Sequence, residues 1–271
     1  MAKNSARSKG YRKYHQEVKG YTEQEKKTMI IGFAVIAIIL VLVLVVPKIV
    51  ESFTLLKVKD GVVQDVGENW LLANVSQTSE EKYRKMAEVG EIEGFELTST
   101  EPGIADENLQ YFVYAPTDPA APVQTLNVQS GNGEAAELSE TFRSQMGNFG
   151  EMLYQSEAVE EAEINGMKTY TVVIEYRNED YEQVSAKAEA QAAADEATAN
   201  EEEIPEDVAA VLAEETRYDY TQSVVLYIDS NLDGKCVLIN AMNTGDSEAV
   251  FQDADAIREI VRTAAASITL E

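Results

Sequence analysis

Residues 164–177 read INGMKTYTVVIEYR. Asn165 and Gly166 are residue types that readily take the positive φ demanded by a two-residue hairpin turn. Behind them Tyr170, Val172, Ile174 and Tyr176 alternate with Thr171, Val173 and Glu175, the period-two pattern of a strand over 167–177. Downstream, residues 218–229 and 235–244 repeat that composition around an Asp/Asn/Gly-rich turn at 230–234, so a second hairpin is expected there.

Upstream, residues 109–115 (LQYFVYA) read as a strand. A connection through Pro116, Pro119 and Pro122 leads to another strand at 123–129, closed by Ser130-Gly131-Asn132-Gly133. Leu138, Phe142, Met146, Phe149 and Leu153 then recur at spacings of three and four, which predicts one amphipathic helix over 134–155. A last helix over 253–267 is capped by Asp253 and puts Ile257, Ile260, Val261, Ala264 and Ile268 on one side. These elements add up to an α+β domain, an antiparallel sheet packed with helices.

The pattern is interrupted at 179–215, an Ala/Glu-rich insertion. Ala and Glu favour helix, and Pro205 before Glu206 and Asp207 suits a helix start, so two surface helices are one reading. A disordered acidic loop is the other, because the segment offers little apolar area to offset ordering entropy. Ahead of the domain, residues 51–108 form a juxtamembrane and N-terminal part. A small hairpin is expected around Lys59-Asp60-Gly61-Val62-Val63. Thr78 followed by Glu81 has capping-box spacing, so a short helix is predicted over 79–89.

Residues 29–46 read MIIGFAVIAIILVLVLVV, apolar on every helical face and free of charge. At about 1.5 Å per residue the run spans about 27 Å, close to a bilayer's hydrocarbon thickness, so a transmembrane helix is expected over 29–50. Residues 1–28 hold eight Lys or Arg against three Glu, and the positive-inside rule places this basic tail in the cytoplasm. VVPKIVESF after the run has no small-x-small cleavage site, which favours an uncleaved anchor. The expected address is therefore a single-pass membrane protein with residues 109–271 in an extracytoplasmic α+β domain.

An amphipathic helix, then Ile164-Asn165-Gly166 leading into meandering antiparallel strands, then a helix ending near Ser267-Ile268, resembles the α/β sandwich of PsbP-like and DcrB-like proteins. The resemblance spans about 109–270 apart from the insertion, and rests on element order and one Asn-Gly turn. It implies a non-enzymatic binding or assembly factor and carries over no catalytic motif.

Composition narrows the chemistry. The 48 acidic and 22 basic residues leave a formal charge of -26, which repels nucleic-acid phosphate and anionic lipid. The one histidine is His15, in the basic tail, so the domain can form neither a Ser-His-Asp nor a Cys-His site. Cys236, the single cysteine, allows no internal disulfide and reads as a small core residue. Asp229, Asn231 and Asp233, with Gly234 next, match the first half of a calcium loop. Position twelve is Asn240 where a bidentate Glu is needed, and an ordinary hairpin turn is the favoured reading of the same residues. Asn74-Val75-Ser76 fits a glycosylation sequon. Trp70 and the tyrosines Tyr111, Tyr114, Tyr176, Tyr181, Tyr218 and Tyr220 line either a ligand groove or the core, with packing the commoner role. Together these features predict a membrane-anchored binding or assembly module with a protein or envelope partner, no nucleic acid and no cofactor beyond that weak calcium candidate. A carboxylate-based hydrolase of envelope polymers and a transmembrane signalling protein are the alternatives.

Overall fold

Three long strands carry the domain: β10 (Met167–Glu179), β11 (Tyr218–Asp229) and β12 (Lys235–Gly245). The computed structural model describes residues 54–59, 62–64, 66–76, 81–103, 106–145 and 150–271, so the basic tail and the apolar run at 29–46 lie outside the described residues. Among those described, no helix is long and apolar enough to cross a membrane.

β10 and β11 pair antiparallel from Thr169↔Ile228 to Glu179↔Tyr218, and β11 pairs β12 from Tyr220↔Gly245 to Asp229↔Cys236. Outward from β12 come β7 (Thr125–Asn132), β6 (Gln110–Pro116) and β5 (Phe95–Pro102); on the other side β8 (Glu151–Gln155) and β9 (Glu160–Ile164) share the free edge of β10. The turn between β9 and β10 is Asn165-Gly166 with φ of 52° and 80°, the two left-handed residues read from the sequence.

Successive residues of a strand face opposite ways, and here both ways are apolar. Val224, Leu226 and Ile228 of β11 join Val237, Ile239 and Ala241 of β12 in the main core, under α4 (Ala254–Ala266) and a second, three-stranded sheet. That sheet is β3 (Trp70–Asn74), β4 (Tyr83–Val89) and β13 (Ile268–Leu270), with β4 in the middle. Val225, Tyr227 and Cys236 point the other way, against Ala135, Leu138 and Phe142 of α1 (Ala135–Gln145). Asp253 caps α4 by accepting from the Asp255 amide at 3.0 Å, as the sequence predicts. The expected small hairpin is β1 (Val58–Lys59) with β2 (Val62–Val63).

Two helix expectations need correction. Residues 83–89 of the helix predicted over 79–89 are strand β4; its expected cap, Thr78, lies outside the described residues. The pairing steps from Leu71↔Ala87 to Leu72↔Lys85, so Met86 is an extra residue in a β-bulge. The bulge lets Met86 and Ala87 both be buried three and four residues after Tyr83, which reproduces helical spacing inside a strand. The helix predicted over 134–155 is α1 only as far as Gln145, and Leu153 belongs to strand β8; Met146 and Phe149 lie outside the described residues. Gly150, just before β8, lies so close to β10 that an added Cβ would sit 2.8 Å from the Arg177 carbonyl oxygen.

The insertion at 179–215 is helical: α2 (Tyr181–Ala199) and α3 (Glu206–Ala213). α2 buries Ala190, Ala194 and Ala197, a stripe of small side chains. Its base is closed by Gln183, 3% exposed, whose amide donates to the Glu215 carbonyl at 2.7 Å and accepts from the Arg217 amide at 2.7 Å. Gln183 thus pairs with the returning chain as a neighbouring strand would.

Cys236 lies wholly inside the sheet-helix interface, and burial pushes its thiol up to about 12. At pH 8 the folded protein is therefore expected to react with a disulfide reagent about 100-fold or more slower than the urea-unfolded chain, as read by thiol absorbance.

Candidate functional site

Register decides what the α1-side face of the large sheet presents. One cross-strand row runs Tyr170, Tyr227, Leu238, Gln129, Tyr111; the next runs Val172, Val225, Asn240, Asn127, Val113. On β10 and β11 these rows are apolar and lie at or beside α1. From β12 outward they turn polar, into amides and a phenol, before the second row ends on Val113.

Residues 106–109, leading into β6, wall this polar end. Asp106 organises it: one carboxylate oxygen accepts from the Asn108 backbone N–H at 3.0 Å, an Asx turn. The Tyr83 hydroxyl lies 3.0 Å and 2.9 Å from the two carboxylate oxygens, and the Asn74 amide donates at 3.1 Å. Asn108 accepts from the Val63 backbone N–H at 3.2 Å, tying the small hairpin to the same knot. Two cavities flank the loop and share Asp106, Leu109 and Asn132. An open cleft of about 660 Å³ reaches Asn74, Glu81 and Lys235, whose ammonium donates to Asn132 at 2.7 Å. A second cavity of about 400 Å³ lies on the sheet face, lined by Tyr111, Asn127, Gln129 and Asn240.

Burial, reinforced by the hydrogen bond to Asp106, pushes the Tyr83 phenol up to about 12. Its neutral form is the one the fold holds, because ionising it would place a second anion beside the carboxylate.

The calcium-loop residues are engaged separately. Asp229 stands on the α1 side, 3.4 Å from the Tyr170 hydroxyl, whereas Asn231 donates to the Glu271 backbone carbonyl at 2.7 Å on the C-terminal strand side; Asp233 is exposed. Asp229 and Asn231 line a third cavity, of about 690 Å³, with the Asn165-Gly166 turn. Among the described residues no group of three or more His, Cys, Asp or Glu is placed to hold a metal. In the sequon, the Asn74 amide nitrogen is the atom bonded to Asp106 and its oxygen accepts from the Ser76 N–H at 3.0 Å. Of the aromatics considered as groove residues, Tyr111 lines the sheet-face cavity. Tyr114 is core, Tyr218 carries the Arg177 guanidinium 4.2 Å above its ring, Tyr220 meets Phe251 edge-on, and Trp70 lies under Lys85; Tyr176 is half-buried and Tyr181 is 81% exposed. Asp106 and Asn127 are functional candidates that the sequence does not single out, and Asn240 enters there only as the unsuitable twelfth position of the calcium loop. Asn127 and Asn240 are 113 positions apart and meet only through the β7–β12 register.

No family model matches the chain, and no curated protein matches it. Among solved structures it is similar to the solution structure of cyanobacterial PsbP (CyanoP) from Synechocystis sp. PCC 6803, with 14% identity and a TM-score of 0.28, over 76% of this chain and 96% of that chain. PsbP is one of the two protein types that the sequence resemblance names. A superposition this loose transfers no residue and no role.

Two outcomes follow from the Asp106 knot. Replacing Asp106→Ala strips the buried Tyr83 hydroxyl of its acceptor and is expected to cost on the order of 1–3 kcal/mol, read by urea unfolding of the full chain followed through Trp70 fluorescence. Between pH 10 and about 12 the unfolded chain ionises Tyr83 while the folded one keeps its proton, so this group removes stability as pH rises through that window. Tyr83→Phe is expected to flatten the alkaline loss by roughly 1 kcal/mol per pH unit in the same titration.

Proposed function

We propose that this chain is a membrane-anchored, extracytoplasmic binding or assembly module and not an enzyme. The observation that carries the reading is the pair of cavities around Asp106. Their polar side chains are mainly amides, carboxylates and a phenol, groups that hold a ligand by hydrogen bonds, and several are already committed to fixing the loop. No histidine occurs after His15 to act as a general base near neutral pH. The apolar run at 29–46 with its basic flank supplies the anchor and the orientation.

A second binding element in the same reading is the α2–α3 hairpin. Residues 179–215 hold thirteen acidic residues against the single base Lys187, and the hairpin presents Tyr181 and Val184 one helical turn apart at its exposed base. Its removal is structurally clean, since β10 and β11 are still paired at Glu179↔Tyr218 where the insertion leaves and returns.

Because Cys236 is buried, introduced thiols report topology without background. With a membrane-impermeant maleimide, Glu202→Cys is expected to label in intact cells and Ser5→Cys only after permeabilisation; the reverse pattern overturns the orientation. A pull-down from native membranes with the full chain, beside a version whose residues 181–216 are replaced by Asn-Gly, is expected to retain a specific partner on the full chain. Reproducible turnover of a glycan or peptide substrate, abolished by one Asp or Glu substitution, would overturn the binding-module reading.

A further inference from the structure

The sheet-face cavity has a composition that selects among ligand classes. Its floor is β6, β7 and β12, each paired on both sides, so no backbone edge is open to an added peptide strand. Among the described residues no Lys or Arg lines it, which leaves phosphate and carboxylate ligands without a counter-charge in a chain of formal charge -26. What it does offer is a cluster of groups that donate and accept together. Asn127 and Asn240 are direct cross-strand neighbours, Gln129 is the next residue on that face of β7, and Tyr111 stands opposite Gln129. Asp106 adds an acceptor at the wall.

One of these groups is unsatisfied. The Asn127 carbonyl oxygen, Oδ1, is buried and has no hydrogen-bond partner among the described residues, whereas the Asn240 oxygen accepts from the Ser223 hydroxyl at 2.6 Å. An amide acceptor left unpaired inside a protein is destabilising, and a small rotation of the half-buried Asn127 side chain would present it to a ligand hydroxyl in the cavity. Hydroxyls match amide side chains because both partners donate and accept. The Tyr111 ring supplies an apolar, polarisable surface for the C–H face of a pyranose, and about 400 Å³ falls within the usual range of small-ligand pockets.

We infer that this cavity binds a neutral saccharide, one or two sugar units of a larger glycan, with Asn127, Gln129 and Asn240 reading hydroxyls and Tyr111 underlying a ring. The inference rests on taking the Asp106 cavities as a binding site, and it names the ligand class of one of them.

The test uses the full chain in lauryldimethylamine-oxide micelles, a detergent with no sugar headgroup to compete. Maltotriose, cellotriose, tri-N-acetylchitotriose and trialanine are each titrated by saturation-transfer NMR and calorimetry. At least one trisaccharide is expected to saturate, trialanine is not, and Asn127→Leu and Gln129→Ala are each expected to weaken that saccharide about tenfold or more with the Trp70 unfolding midpoint held. Gln129 is only half-buried, so its variant reads the site even where Asn127→Leu disturbs folding. Failure of all three sugars to bind at tens of millimolar, an affinity unchanged by Gln129→Ala, or trialanine binding lost in the same variants overturns the inference. Such failure beside the expected maleimide pattern and a retained membrane partner counts against the saccharide alone and leaves the anchored binding module standing.

Discussion

The domain depends on a sheet whose centre is apolar on both faces. β11 buries Val224, Leu226 and Ile228 one way and Val225 and Tyr227 the other, so neither face can be left to water. The first face is covered broadly, by α4 and the three-stranded sheet. The second has α1, whose 11 residues make a rod about 16 Å long and 10 Å thick. Seven strand positions at about 4.8 Å give a sheet about 29 Å across, so one such rod cannot cover it. Where the helix stops, the sequence changes from Tyr227 and Leu238 to Gln129 and Tyr111, and from Val225 to Asn240 and Asn127. The polar cavity is thus the other side of the same constraint: a face too wide for its helix must become polar, and a concave polar face with a loop folded beside it is a pocket.

Residues that broadcast their structure in the sequence are those for which local pattern and tertiary burial agree. β10, β11 and β12 were legible because long runs of β-branched and aromatic residues are bounded by Asn-Gly and Asp-Gly turns. α4 was legible because its cap and its apolar stripe coincide. β4 was not, because a bulge at Met86 shifts the alternation and leaves a spacing that a helix explains equally well. β8 and β9 hid for another reason. As partners on the edge of β10 they bury little: Leu153 and Tyr154 are exposed and β9 reads EEAEI, so neither carries a two-fold hydrophobic signal. The candidate site was the least legible part. Asp106 is one of 48 acids, and Asn127 and Asn240 look like ordinary strand polar residues until a register sets them side by side.

Buried amides also fasten the fold at places the site does not use. Gln222, fully buried, donates to the Gln252 carbonyl at 2.8 Å and accepts from the Gln252 N–H at 2.9 Å, while Asn243 accepts from the Gln124 N–H at 2.7 Å and donates to the Pro122 carbonyl at 2.9 Å. Gln183 treats the insertion in the same way. In each case an amide substitutes for a missing strand partner, answering both a donor and an acceptor on an irregular segment. Against that habit, the unanswered oxygen of Asn127 is informative, since among the described residues it is the one buried side-chain amide atom without a partner.

The acidic hairpin and the sheet-face cavity lie toward opposite ends of β11. The insertion joins at Tyr218, whereas the cavity begins at the row containing Val225, seven residues along, or about 24 Å at strand rise. That exceeds the Debye length of about 8 Å at physiological ionic strength, so charges at the root of the hairpin are largely screened from a ligand in the cavity. The two elements also differ in the force they employ. A partner drawn to thirteen carboxylates is held by a term that fades as salt rises, whereas a neutral ligand held by amides and an aromatic ring is nearly indifferent to salt. The proposed charged partner and the proposed saccharide would thus sit toward opposite ends of one strand, where neither imposes a large electrostatic cost on the other.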